Sequence, residues 1–169
     1  MSRLQLALNV DDVDSAVAFY SALFGTEPAK RRPGYANFAI AEPPLKLVLL
    51  ENPGQGGSLN HLGVEVADVD TVDAEQTRLA ERGLASVDER STTCCYAKQD
   101  KFWVQGAPDG ELWEVYTVLA DSPTFDAEPA DGGATCCAPG AEETADVTVG
   151  ATAGETTHQP TAGRAPACC

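Results

Sequence analysis

The chain has few basic residues and lacks any hydrophobic run long enough to cross a bilayer. Of its 169 residues, 11 are Lys or Arg and 26 are Asp or Glu, so the formal net charge is −15. This charge disfavours nucleic acid as a partner, because proteins bind phosphate backbones through clustered cations. The first residues, MSRLQLALNVDD, lack the long apolar core and the cleavage site of a signal peptide. We therefore expect a cytoplasmic protein that binds neither nucleic acid nor membrane.

Aromatic and basic residues are almost missing from the last part of the chain. From Ala120 onward, Phe125 is the only aromatic residue and Arg164 the only base, while Ala, Thr, Gly, Pro and acidic residues dominate. Such a segment has too little apolar surface to offset the conformational entropy that is lost on ordering. The composition predicts a packed domain over residues 1–119, followed by a disordered acidic tail over residues 120–169.

The six cysteines occur as three adjacent pairs, two of them in the tail. The pairs are Cys94-Cys95, Cys136-Cys137 and Cys168-Cys169. In a reducing compartment, adjacent cysteines are better interpreted as dithiols than as disulfides. Thiolates are soft ligands, which favours a thiophilic centre such as trivalent arsenic, Cd(II), Hg(II), Zn(II) or Cu(I). Core packing cannot explain the pairs in the tail, so they are further candidate thiophilic sites.

Cys94 and Cys95 lie in a polar segment that we predict to be a loop, between Ser91–Thr93 and Ala97–Asp100. Neighbouring side chains on a regular strand point to opposite faces, so these two thiols can bind one atom only where the backbone is irregular. The alternative is one buried cysteine beside an exposed one, since cysteine is among the most buried residue types.

A unit of one strand and one helix occurs twice in the chain. Gln5–Gly25 and His61–Gly83 align without a gap, and each has an alternating apolar segment, a D-V-D step and a helical pattern that closes on glycine. The pattern predicts helices capped by Asp14 and Asp70, with the closing glycine in the left-handed conformation.

Two or three strands follow each unit and complete two modules. The clearest are predicted over Tyr35–Ile40, Leu45–Leu50, Phe102–Val104 and Leu112–Tyr116. The modules span residues 3–52 and 60–119, and a linker rich in glycine joins them.

Equivalent positions of the two modules carry the candidate ligands. The repeat superposes Gln5 on His61, so that an amide and an imidazole occupy matching places. Aligning the last strands by pattern places Glu114 opposite Leu47, so one module offers a carboxylate where the other offers a hydrocarbon.

The paired modules, their openings at Gln5 and His61, and the P-D-G-x-x-W-E motif at Pro108–Glu114 resemble the vicinal oxygen chelate superfamily. That superfamily includes glyoxalases, extradiol dioxygenases and bleomycin-resistance proteins. The resemblance covers residues 3–119 and implies an α+β fold, in which two tandem βαβββ modules form an open, barrel-like mixed sheet. The cupped interior of such a sheet binds a divalent metal.

The resemblance implies that Gln5, His61 and Glu114 are catalytic metal ligands, with Leu47 at a fourth family position. This set resembles a facial triad with open coordination positions, which suits Fe(II), although Mn(II), Ni(II) or Zn(II) meets the same criteria. The alternative is that Gln5 and Glu114 are polar residues at strand edges and that His61 is structural.

Taken with Cys94 and Cys95, the three ligands are similar to those of iron-dependent carbon–arsenic lyases, a group that includes proteins described as cadmium-induced. This resemblance implies an Fe(II) dioxygenase with O2 as co-substrate. Its substrate would be a trivalent organoarsenical, such as methylarsenite or an aromatic arsenical, bound by the two cysteines and cleaved to release arsenite.

Two other functions stay open, and the chain could act as a monomer or a homodimer. The first is a binding protein that sequesters cadmium or arsenicals without turnover. The second is a glyoxalase-like isomerase, which the loss of a carboxylate at Leu47 disfavours.

Overall fold

The computed structural model describes residues 2–126, which form eight strands and two helices in two consecutive βαβββ modules. The first module contains β1 (Arg3–Val10), α1 (Val13–Phe24), β2 (Lys30–Arg32), β3 (Tyr35–Ile40) and β4 (Leu45–Glu51). The second contains β5 (Leu59–Glu65), α2 (Val69–Glu81), β6 (Ser86–Cys94), β7 (Ala97–Val104) and β8 (Trp113–Asp121). Neither helix is long and apolar enough to span a membrane.

All eight strands form one curled mixed sheet in the order β2-β3-β4-β1-β5-β8-β7-β6. The first strand of each module pairs parallel with the last strand of the same module, β1 with β4 and β5 with β8. The two first strands pair antiparallel at the centre of the sheet. The predicted α+β fold of two tandem modules is therefore confirmed.

The two faces of the sheet differ in chemistry. On one face, Leu47 and Leu49 of β4 pack with Val13 and Val17 of α1 in a hydrophobic cluster. A second cluster lies in the other module and consists of Val66, Val72, Phe102 and Val115. The opposite face carries buried polar side chains, namely Gln5, Lys46, His61, Gln99 and Glu114. Burying polar groups costs free energy unless they find partners, so hydrogen bonds must organise this second face.

Both helices begin two residues earlier than the capping prediction required. Asp12 accepts a hydrogen bond from the backbone N–H of Ser15 at 2.6 Å, and Asp68 accepts one from Thr71 at 2.8 Å. The predicted caps, Asp14 and Asp70, lie inside the first helical turn. The D-V-D step offers two aspartates to each helix, and only the first of them has the extended backbone that a cap requires.

The closing glycines have the predicted left-handed backbone. Gly25 has φ 63° and follows directly on α1, whereas Gly83 has φ 81° and is separated from the end of α2 by Arg82. Residues other than glycine rarely adopt this conformation, so both glycines serve the chain reversal after the helix.

The predicted loop around the first cysteine pair is wrong, because this segment forms a β-hairpin. Strand β6 continues to Cys94 and β7 begins at Ala97, so Cys95 and Tyr96 alone make the turn. Their φ values of 53° and 61° are typical of the two-residue turns that match the twist of paired strands. The register of β6 shifts between Glu89 and Thr92. That bulge interrupts the alternation by which a strand is recognised in a sequence.

Candidate metal centre

Three neighbouring strands bring the predicted ligands together. Gln5 lies on β1, His61 on β5 and Glu114 on β8, with exposed fractions of 4%, 1% and 3%. Gln5 Nε2 lies 2.9 Å from His61 Nε2 and 2.7 Å from Glu114 Oε1, and the last two atoms are 3.4 Å apart. Ligands at right angles on one metal, each about 2.1 Å from it, are about 3 Å apart. The spacing of the three side chains therefore fits a single cation.

A glycine makes this convergence possible. Gly63 of β5 pairs with Gln5 on one side and with Glu114 on the other. A Cβ atom on Gly63 would lie 3.1 Å from Glu114 Cγ and 3.2 Å from Gln5 Cβ, so both side chains occupy the space that it leaves. Gly63 is not among the site residues that the sequence patterns predict. A glycine inside an alternating strand often marks such a close approach, and this signal was present.

The ring of His61 is oriented by a chain of asparagines. Its Nδ1 lies 2.7 Å from Asn60 Oδ1, and Asn60 Nδ2 donates to Asn9 Oδ1 at 3.0 Å. Asn9 in turn donates to Ser58 Oγ at 2.9 Å. Because the Asn60 oxygen is an acceptor, Nδ1 carries the proton and Nε2 keeps its lone pair facing Gln5 and Glu114.

A fully buried lysine compensates the charge of Glu114. Lys101 Nζ donates to Glu114 Oε2 at 3.1 Å and also lies 3.3 Å from Glu89. Burial raises the pKa of Glu114, but the ammonium group of Lys101 acts against burial, and the pKa of this carboxyl is lowered from its ordinary value. Burial lowers the pKa of Lys101, but Glu114 and Glu89 leave it raised. Glu114 is therefore an ionised carboxylate at neutral pH, with Oε1 directed at Gln5 and His61.

The cysteine pair opens into the same pocket as the three predicted ligands. The Sγ atoms of Cys94 and Cys95 are 3.6 Å apart. The left-handed backbone at Cys95 is the irregularity that two adjacent thiols require in order to face one atom. The pocket is lined by Gln5, Tyr35, Lys46, Val48, His61, Cys94, Cys95, Gln99 and Glu114. Cys136, Cys137, Cys168 and Cys169 lie outside the described residues.

The placement of Leu47 opposite Glu114 is wrong by one residue. In the structure, Gln5 of β1 pairs with Lys46, and Leu62, which follows His61 in β5, pairs with Trp113. Because Gln5 and His61 are equivalent, Trp113 corresponds to the residue after Lys46, which is Leu47. Val48 is therefore the counterpart of Glu114. Leu47 lies in the hydrophobic cluster with α1, whereas Val48 lines the pocket. A shift of one residue exchanges the two faces of a strand. A hydrocarbon still occupies the fourth position, although it belongs to Val48.

Within residues 2–126, no three His, Cys, Asp or Glu side chains cluster in a way that could hold a metal ion. The candidate centre instead combines one imidazole, one carboxylate and one amide. These are borderline and hard donors, which suit first-row divalent metals better than they suit soft metals.

Comparisons with known proteins agree with this architecture. A family model described as Glyoxalase/Bleomycin resistance protein/Dioxygenase superfamily matches residues 3–115. Over 145 residues the chain is 66% identical to the cadmium-induced protein CadI of Mycobacterium bovis, covering 83% of this chain and 95% of the relative. Over 152 residues it is 57% identical to a trivalent organoarsenical cleaving enzyme of Thermomonospora curvata, covering 89% and 98%.

A solved structure with a similar fold is the Mn(II)-bound glyoxalase from Novosphingobium aromaticivorans. Its TM-score is 0.50 at 21% sequence identity, and the match covers 76% of this chain and 44% of that one. At this identity the likeness supports the fold alone.

The close approach at Gly63 generates a stability prediction. In an unconstrained strand, Gly→Ala is favourable by about 0.5–1 kcal/mol. Here the added methyl group meets Glu114 and Gln5, so we expect Gly63→Ala to lower the free energy of unfolding by about 1–3 kcal/mol. Urea denaturation of both proteins measures the difference. An unchanged or increased stability would show that the two side chains do not depend on the space above Gly63.

Proposed function

Because the chain belongs to the Glyoxalase/Bleomycin resistance protein/Dioxygenase superfamily, we propose that it is a non-haem Fe(II) dioxygenase that cleaves the carbon–arsenic bond of trivalent organoarsenicals. The reaction uses O2 as co-substrate and releases arsenite. One observation carries the proposal: Cys94 and Cys95 share a pocket with Gln5, His61 and Glu114. The name of the Thermomonospora curvata relative, at 57% identity, supports the same substrate class.

Gln5, His61 and Glu114 are the residues that would hold the iron. When bound there, Fe(II) would supply the redox chemistry that O2 needs in order to react with an organic substrate. The protein contributes a buried carboxylate that is ionised at neutral pH, and an imidazole whose Nε2 faces the same point. Val48 adds no fourth donor, which leaves that side of the centre open to substrate and O2.

Cys94 and Cys95 would bind the arsenic of the substrate. In the reduced protein, each thiol would displace one hydroxyl group from the trivalent arsenical, so that two As–S bonds form and two water molecules leave. Two sulfurs that each lie about 2.3 Å from one tetrahedral zinc are about 3.8 Å apart. The observed Sγ–Sγ distance of 3.6 Å therefore allows both sulfurs to bind a single soft atom.

Anchoring the arsenic would place its carbon substituent beside the metal ligands. Both sulfurs line the same pocket as the three proposed iron ligands, so an arsenic bound by Cys94 and Cys95 would stay close to the metal site. Positioning of this kind converts an encounter between two molecules into a reaction within one complex, a large source of rate enhancement.

Sequestration of a soft metal without turnover is the second candidate function. The same two thiolates would bind Cd(II), and the 66% identical relative from Mycobacterium bovis is named a cadmium-induced protein. Sequestration needs the cysteines but neither O2 nor the buried amide, imidazole and carboxylate. Variants of these two groups of residues therefore separate the two functions.

Substitution of the metal ligands should remove turnover without unfolding the protein. His61→Ala and Glu114→Ala should each abolish O2-dependent arsenite release, because each removes a strong iron ligand. Gln5→Ala should have a milder effect, since a neutral amide is the weakest donor of the three. Glu111→Ala is the matched control, because this carboxylate does not line the pocket, and it should keep wild-type activity and iron content. A fully active His61→Ala protein would exclude this metal site.

Substitution of either pocket cysteine should remove turnover but leave iron binding intact. With Cys94→Ser or Cys95→Ser, a single As–S bond remains, which neither orients the substrate nor resists competing thiols. Iron content and arsenite release from methylarsenite are measured side by side, under reducing conditions.

The matched control for the cysteine variants carries serine at Cys136, Cys137, Cys168 and Cys169. It should release arsenite at the wild-type rate, because the proposed site uses none of these residues. Full arsenite release by Cys94→Ser or Cys95→Ser would rule out binding of the arsenic by both sulfurs. Loss of iron from these variants would place the sulfurs in the metal site and favour sequestration.

A further inference from the structure

The hydroxyl group of Tyr116 lies between one ligand candidate and a charged network. Its oxygen is 2.5 Å from Gln5 Oε1, 2.8 Å from Glu65 Oε2 and 3.0 Å from Lys46 Nζ, and the residue has no exposed surface. Lys46 donates to the hydroxyl oxygen. A phenol has a single proton, so Tyr116 can donate to either Gln5 or Glu65, but not to both at once.

The carboxylate of Glu65 is the stronger acceptor of that proton. Glu65 is held by Arg3 at 2.9 Å and lies 3.3 Å from Lys46, which keeps it anionic. Hydrogen bonds to a charged acceptor are about twice as strong as neutral ones. When Tyr116 donates to Glu65, its oxygen faces Gln5 Oε1 without a proton between them, and this contact is unfavourable.

A half-turn of the Gln5 amide removes the conflict, because it exchanges nitrogen and oxygen without moving the side chain. When Nε2 points inward, toward His61 and Glu114, as in the structure, Gln5 donates to both of them. Its oxygen then competes with Glu65 for the Tyr116 proton. With Oε1 inward, Gln5 Nε2 donates to the Tyr116 oxygen and the Tyr116 proton goes to Glu65. The second arrangement contains one more hydrogen bond through Tyr116, made to a charged acceptor.

The inward oxygen completes a set of donors that only a cation can stabilise. Gln5 Oε1 would then face His61 Nε2 and Glu114 Oε1 at the 2.7–2.9 Å distances that Nε2 now occupies. Three lone pairs at this spacing repel one another unless a positive ion lies between them. The inward nitrogen, in contrast, presents N–H groups that repel a cation.

We propose that Tyr116 is a positioning residue for Gln5. By donating its hydroxyl proton to Glu65, Tyr116 stabilises the orientation in which the carbonyl oxygen of Gln5 faces a divalent cation. The inference rests on the metal site of the proposed function. It explains how a neutral amide serves as the third ligand: when the cation binds, Tyr116 can make hydrogen bonds with both Gln5 and Glu65, which offsets the rotation of Gln5.

The test measures the affinity of the full-length, metal-free protein for Co(II) by titration calorimetry, under anaerobic reducing conditions. Tyr116→Phe should weaken binding by about tenfold to hundredfold, the range found for outer partners of metal ligands. Tyr20→Phe is the matched control. It removes a tyrosine hydroxyl from α1, where the ring packs against the hydrophobic cluster on the other face of the sheet. Its affinity should stay within about threefold of wild type, below the range for outer partners.

Gln5→Glu distinguishes positioning from general loosening of the site. A carboxylate has two equivalent oxygens and needs no orientation, so adding Tyr116→Phe in the Gln5→Glu background should change affinity by less than about threefold. An equal loss in both backgrounds would mean a structural role and would overturn the inference, as would wild-type affinity in Tyr116→Phe. Absence of His61-dependent Co(II) binding in the wild-type protein would instead refute the metal site itself.

Discussion

The negative charge of Glu114, buried on the concave face of the sheet, is the constraint on which the rest of the pocket depends. Only 3% of this residue is exposed, so its charge must be matched by groups that are equally buried. Lys101 supplies a full positive charge on one oxygen, while Gln5 and His61 face the other. Leaving such a charge without its partner costs about 3–5 kcal/mol. A fold that needed only stability would have placed hydrocarbon here, so the arrangement indicates function.

The tandem repeat explains why the site is both regular and asymmetric. Two modules offer four equivalent positions, and the chain fills them with Gln5, His61, Val48 and Glu114. Val48 limits the donors to three and leaves one side open. The hairpin with Cys94 and Cys95 comes from the second module alone, so the thiols approach the centre from one direction. Duplication thus supplies the scaffold, and the differences between the copies supply the candidate ligands.

The sequence was sufficient where a pattern is local and repeated. The alternation in β1 and β5 predicts two strands, and their superposition identifies Gln5 and His61 as a pair. The sequence was insufficient where the pairing register of the strands decides which residue faces the pocket. Five of the six residues of the strand LKLVLL are apolar and both faces carry apolar residues, so the alternation does not show which of Leu47 and Val48 faces the pocket. The contacts of Lys101 and Tyr116 depend on long-range strand pairing, and no short motif marks them.

The backbone of the cysteine hairpin could not be predicted for a similar reason. A bulge near Ser91 breaks the alternation of β6, and the turn places Cys95 and Tyr96 in a conformation that asparagine and glycine usually adopt. A left-handed residue other than glycine costs roughly 1–2 kcal/mol. Strain of this kind, held at a pocket by the surrounding strands, is consistent with a role for Cys95 in binding.

We expect the metal ligands and the cysteine pair to form one site, and a spectroscopic titration tests this without relying on turnover. Co(II) bound by the reduced protein gives a visible absorption spectrum that reports on the surroundings of the metal. Adding phenylarsenite should change this spectrum in the wild-type protein. In the Cys94→Ser/Cys95→Ser double variant, the Co(II) spectrum should persist and show no response. A wild-type spectrum that stays unchanged while one equivalent of phenylarsenite binds would show that arsenic and metal occupy separate sites.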